Sequence, residues 1–173
     1  LLLSQADEYF SLSGKELVGK KVKQLVSMAG QFPSGKEYNV YVDPQASQFV
    51  VNEWPTPILF SGFEVGAAIL TGKQMVESDI QGSPVVETFR MCLSQDNPDG
   101  RQSWDETAVL AAVRGKANYF DSVQGHMIVA DDGSNSWVND PEGPHVYLTI
   151  KMPIGRLTAE IEHLMMHQPV KRE

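Results

Sequence analysis

Twice in its first half the chain runs from a short apolar segment into a glycine-containing loop, with a helix start in between, and this order leaves room for little except an α/β layer structure. Val22-Lys23-Gln24-Leu25-Val26-Ser27-Met28 alternates in polarity and reads as a strand. It gives way to Ala29-Gly30-Gln31-Phe32-Pro33-Ser34-Gly35-Lys36, where two glycines and a proline make a loop. Asp43-Pro44 then reads as a helix start, because aspartate accepts from free first-turn amides and proline needs none; the helix runs from Gln45 to about Asn52, with Ala46, Phe49 and Val50 on one face. After Trp54-Pro55-Thr56-Pro57, Ile58-Leu59-Phe60 is a buried strand that enters a second glycine loop, Ser61-Gly62-Phe63-Glu64-Val65-Gly66. Loops that follow parallel strands are where α/β proteins place ligand contacts.

The rest of the chain continues the layering. Lys15 to Lys23 reads as a short basic helix or turn, after a loop over Tyr9–Gly14. Ser83-Pro84 opens a helix over Val85–Leu93, Asn97-Pro98-Asp99-Gly100 is a turn in the polar segment Gln95–Gln102, and Ser103 can cap an apolar helix from Thr107 to Arg114 that Gly115 ends, expected to be buried against a sheet. His126–Val129 and Ser136–Val138 flank Asp131-Asp132-Gly133-Ser134-Asn135 as a small hairpin; Val146–Met152 is a last strand and Leu157–Met166 a closing helix. The expectation is therefore one α/β domain over residues 1–173, with flanking helices, a mostly parallel sheet and a small antiparallel attachment, and at most four clear sheet strands in all.

Composition narrows what such a domain can do. With 42% hydrophobic and 21% charged residues the chain can build a core rather than stay disordered. A net charge of -8 repels a phosphate backbone, so nucleic acid is not an expected partner. No apolar run approaches the roughly 18 residues that cross a bilayer, so no membrane partner is expected either. The single Cys92 has no internal partner and reads as a core residue. The start at Leu1 has neither an initiator methionine nor a targeting segment, so the chain reads as cut at its front, and its compartment is open.

Three polar groups fall where the sheet would present them to one crevice: Glu37 with Asn39, Glu64 after its strand, and Asp105 at a helix start. If residues 37–39 are extended, Glu37 and Asn39 share a face and can grip vicinal hydroxyls, one accepting and the other both donating and accepting. The competing interpretation is that they brace the loop or the helix at Asp43. Asp105 is either a first-turn charge favoured by the helix dipole or a hard oxygen ligand for a cation such as calcium, with Trp104 beside it to stack on a base or sugar. The Asp131–Asn135 run lacks the spacing of an EF-hand, and His126, His145, His163 and His167 have no metal-ligand spacing. The glycine loops match no phosphate-binding pattern.

Taken together, Lys23–Gly30, Glu37-Tyr38-Asn39-Val40-Tyr41-Val42-Asp43-Pro44-Gln45-Ala46, Trp54–Gly66 and Ser103-Trp104-Asp105-Glu106-Thr107-Ala108-Val109 resemble the second half of the inosine-uridine preferring nucleoside hydrolases, in consistent order over most of Leu1 to Val138. The resemblance implies the C-terminal portion of a Rossmann-like nucleoside hydrolase fold. It implies calcium-dependent hydrolysis of the N-glycosidic bond of a ribonucleoside to free base and ribose, in a family whose members are often dimers or tetramers. Carried over, Glu37 and Asn39 bind the ribose around its 5-hydroxyl, Met28 lines the pocket beneath the sugar, and Asp105 is a calcium ligand that touches a ribose hydroxyl. The aspartate cluster that supplies the family's general base and most calcium carboxylates is absent and would precede Leu1, so the calcium site is incomplete and this stretch alone is expected to be inactive. Trp104 stands where several members have a histidine that protonates the leaving base, and Gln31 stands near a family asparagine. The alternatives are a non-catalytic nucleoside or sugar binding domain of the same fold, or a structural domain in which Glu37 and Asp105 are caps.

Overall fold

The computed structural model describes residues 3–168. Eight helices, α1 Gly14–Lys21, α2 Tyr38–Tyr41, α3 Pro44–Glu53, α4 Phe63–Ala67, α5 Lys73–Val76, α6 Pro84–Gln95, α7 Trp104–Arg114 and α8 Ile154–Met165, surround two sheets among these residues. The strands are β1 Leu25–Met28, β2 Ser34–Gly35, β3 Ile58–Ser61, β4 Leu70–Thr71, β5 Arg101–Gln102, β6 Phe120–Val129, β7 Asn135–Asn139 and β8 His145–Ile150.

The main sheet has six strands in the order β1-β3-β8-β6-β7-β2, and β4 pairs with β5 alone. β1, β3 and β8 run parallel, with Val26 opposite Leu59 and Leu59 opposite Val146; β6, β7 and β2 add antiparallel pairs. The α/β class and the flanking helices are as the sequence implies. The hairpin is not a small attachment, however: β6 begins at Phe120 and its first half pairs with β8, so the hairpin is built into the main sheet.

Alternation along β3 divides the core. Leu59 faces a cluster with Val65, Leu110, Leu148, Leu157 and Ile161, which α4, α7 and α8 help to build. Ile58 and Phe60 face the other way, toward Phe32, Val40, Val51 and Met127. α3 meets this side through Val51, while Phe49 is exposed; the face expected from Ala46, Phe49 and Val50 is therefore rotated toward Val51. α7 is also less buried than its composition implies, since Val109 and Val113 point to solvent.

Caps explain most boundaries. Ser13 and Glu16 form a reciprocal capping box at α1, and the Val22 amide closes that helix on the Val18 carbonyl at 2.8 Å, which is why the strand starts at Leu25 and not at Val22. Asp43 accepts from the Ala46 amide at 2.9 Å and starts α3 as expected. The segment after β3 is not a plain loop, because it turns at Gly62 directly into α4. Ser103 precedes α7, but its hydroxyl pairs with Thr71 at 2.7 Å instead of capping, and α7 starts at Trp104 rather than Thr107. Buried Glu162 of α8, which the sequence reading passes over, accepts from the amides of Gly72 and Gln74 and holds the start of α5.

His145 opens β8 as a buried side chain whose Nδ1 accepts from the Met127 amide at 3.0 Å. Burial, with repulsion from nearby His126, outweighs the hydrogen bond that the ring donates to the Val51 carbonyl and holds its pKa below the ordinary value of 6.5. A proton on Nδ1 would put two donors face to face. The unfolded chain takes up that proton first, so the contribution of His145 is present above pH 6.5 and is lost as pH falls through the lowered folded-state value. Thermal unfolding followed from pH 8 to pH 5 is expected to show this loss, and His145→Gln to flatten it; an unchanged profile in the variant would refute the assignment.

Candidate functional site

One cleft of about 320 Å³ opens where the β1 end, α2, the start of α4 and the start of α7 meet, and it is lined by Met28, Glu37, Tyr38, Asn39, Phe63, Arg101, Trp104 and Asp105. The five residues singled out from the sequence, Met28, Glu37, Asn39, Trp104 and Asp105, thus border a single space although they come from three separate segments. The volume lies at the lower end of the range of about 300–1,000 Å³ usual for small-molecule sites.

Residues 37–39 are not extended. Glu37 is the N-cap of α2, with one carboxylate oxygen accepting from the Asn39 amide at 2.9 Å and the other from the Gly30 amide at 3.0 Å. Glu37 and Asn39 are therefore brought together by a helix start rather than by strand alternation, and the loop-bracing interpretation of Glu37 is realised alongside its position at the cleft. Asn39 donates to the Met28 carbonyl at 3.2 Å and approaches the Met28 sulfur at 3.1 Å, so the tip of β1 and the start of α2 are fastened at the cleft wall.

The other wall is aromatic. Trp104 stacks on Phe63 at a tilt of 29°, with ring centres 5.7 Å apart, and its indole nitrogen donates to the Phe63 carbonyl at 3.0 Å. The approach of α4 to α7 that permits this is set by Gly66, where a Cβ would sit 2.3 Å from the Trp104 Cα. Asp105 follows in the first turn of α7, exposed and at the positive end of the helix dipole. Glu106 points elsewhere; burial raises its pKa, the neighbouring Asp105 charge adds to that rise, and Arg101 opposes it.

Glu64 does not reach this cleft, contrary to the expectation that all three polar groups share it. Its carboxylate turns to the Phe32 amide at 3.2 Å, the second oxygen is buried without a partner, and burial raises its pKa. Gln31 is likewise tied elsewhere, through backbone bonds to the Asn135 side chain. Tyr38, Phe63 and Arg101 are cleft residues that sequence reasoning missed; Phe63 and Arg101 sit in segments read as loop and turn, with no periodicity to give them a direction.

Calcium takes six to eight oxygens. Here Asp105 is the one cleft carboxylate not engaged with backbone, and no group of three or more metal-ligating side chains occurs among the described residues. The residues present do not make a calcium site. A larger groove of about 460 Å³ between α7 and α8 has Asp105, Glu106 and Arg114 at its edge and a floor of Val109, Leu110, Val113, Ile161, Leu164 and Met165, so its surface is mainly apolar. No helix among the described residues is long and apolar enough to cross a membrane.

No protein-family model matches the chain, and no curated protein matches it.

Proposed function

We propose that this chain is the C-terminal part of a ribonucleoside N-ribohydrolase with a Rossmann-like fold, in which the cleft at Asp105 receives the nucleoside. The observation that carries the reading is the convergence of Met28, Glu37, Asn39, Trp104 and Asp105 on one small cleft with a polar end and an aromatic end. A ribonucleoside has the same division, hydroxyls at one end and a flat heterocycle at the other.

In this reading Asn39 and Asp105 meet the sugar hydroxyls, Asp105 as acceptor, and Met28 gives the sugar an apolar floor. Glu37 acts mainly by holding Gly30 and Asn39 in place. Hydrolysis adds the oxygen of water to the anomeric carbon as the carbon–nitrogen bond breaks; the bonding pair goes to the base nitrogen, and the water proton ends on the base. Among the described residues Asp105 is the one cleft carboxylate not bonded to backbone, and in this reading it is a metal and sugar contact rather than the general base, so the reading requires a base and further carboxylates for calcium beyond these residues. The expected result is that the full-length protein releases free base from inosine or uridine, and that a calcium chelator stops it. Chelator-insensitive release would refute the metal-dependent mechanism.

The shortage of acidic groups favours one alternative, a non-catalytic nucleoside or sugar binding domain of the same fold. Tight binding of a nucleoside with no release of base by the full-length protein would decide for it.

A further inference from the structure

We propose that the groove between α7 and α8 is an interaction surface for a second copy of this chain, with the two α7 helices packed antiparallel about a two-fold axis. The inference stands apart from the nucleoside reading. The inner side of α7 is in the core, but its outer side carries Val109 and Val113, one turn apart and 59% and 78% exposed. They flank the groove of about 460 Å³, whose floor runs through Leu110 and Ile161 to Met165. A concave apolar strip of this kind receives the apolar face of a helix, and exposed apolar residues gathered beside it mark a contact surface rather than ordinary scatter.

Charge selects which helix. Glu106 stands at one end of the groove and Arg114 at the other, about 12 Å apart along α7. Two α7 helices that cross antiparallel at Leu110, midway between them, bring the Glu106 of each copy to the Arg114 of the other; a parallel crossing sets like charge against like. Neither side chain is used up within one copy. Glu106 has no ion pair among the described residues, and Arg114 reaches only Glu160, at 3.0 Å in a half-exposed pair that leaves guanidinium donors free. Burial also raises the pKa of Glu106, so a cation from the second copy offsets a cost that a single copy carries.

α7 therefore has what the groove takes: two valines for the apolar strip and a cation directly after the second of them. The contact is self-complementary, each copy giving both the ridge and the groove. Asp105 borders this groove as well as the cleft, so the second copy would stand at the cleft mouth.

Sedimentation equilibrium of the full-length protein tests this. Wild type is expected to be a dimer, and Val113→Asp to raise the dimer Kd by about thirtyfold or more, with an unchanged circular dichroism spectrum because the position is exposed. Glu106→Arg and Arg114→Glu should each weaken the dimer, and an equimolar mixture of the two should restore it, since both charge contacts are then opposite in sign. Val113→Asp alone decides the matter if a charge variant fails to fold. A monomeric wild type, with the groove covered by other parts of the chain or by a different protein, overturns the proposal, as does a dimer that Val113→Asp leaves intact. A mixture of folded charge variants that stays monomeric overturns the antiparallel pairing.

Discussion

Replacing Asp105 by Ala is expected to lower base release from the full-length protein by about a hundredfold or more, while its melting temperature changes little. The two halves of that expectation come from different properties of one position. Loss of outer partners that only orient a bound metal commonly costs about 10–100-fold in activity, and a carboxylate in direct contact with metal or sugar should cost at least as much. The stability cost is small because Asp105 is exposed, caps nothing with its side chain, and gains only the helix-dipole term of about 0.3–1 kcal/mol. Base release by Asp105→Ala at a near wild-type rate would remove the carboxylate from the reaction and leave it a first-turn charge.

Glu37→Ala should instead act on the fold. The carboxylate is 5% exposed and accepts two backbone amides, Gly30 at 3.0 Å and Asn39 at 2.9 Å. Removing it strands both donors at the base of the cleft, at a cost of about 3 kcal/mol, or a fall of roughly 6–12 °C in melting temperature. Glu37→Gln, which keeps one acceptor, should lose less. A melting temperature within about 2 °C of wild type in Glu37→Ala would show that water replaces the carboxylate and that the loop needs no brace.

The legible parts of this fold were those where a side chain signals its own local role. Asp43-Pro44 and Ser83-Pro84 carry helix starts in their chemistry, and Ile58–Phe60 carries a buried strand in its apolarity. Elements that exist through distant partners were not legible. β4 and β5 are two-residue strands defined only by each other, and the first half of β6 is a strand because β8 lies beside it. The extended form assumed for residues 37–39 failed for a related reason: α2 is a single turn held by an amide from β1's loop, and a helix that short leaves no apolar period. At the site, Met28, Glu37, Asn39, Trp104 and Asp105 could be singled out by resemblance, but Arg101 follows a polar turn as the first residue of β5, a two-residue strand that acquires direction only from pairing with β4.

The junction of α4 with α7 sets how this cleft could be retuned. Gly66 lets the Trp104 backbone approach to within what a methyl group would occupy, the Ser103 amide bonds to the carbonyls of Gly66 and Ile69, and the Trp104 indole bonds to Phe63. With backbone and side chain both locked across that seam, the aromatic wall has no spare rotation to offer a differently shaped heterocycle. Changing which ring the cleft accepts, in the proposed reading, therefore falls to exchanges at the solvent-facing positions Tyr38 and Arg101, where a side chain can be swapped without re-docking a helix.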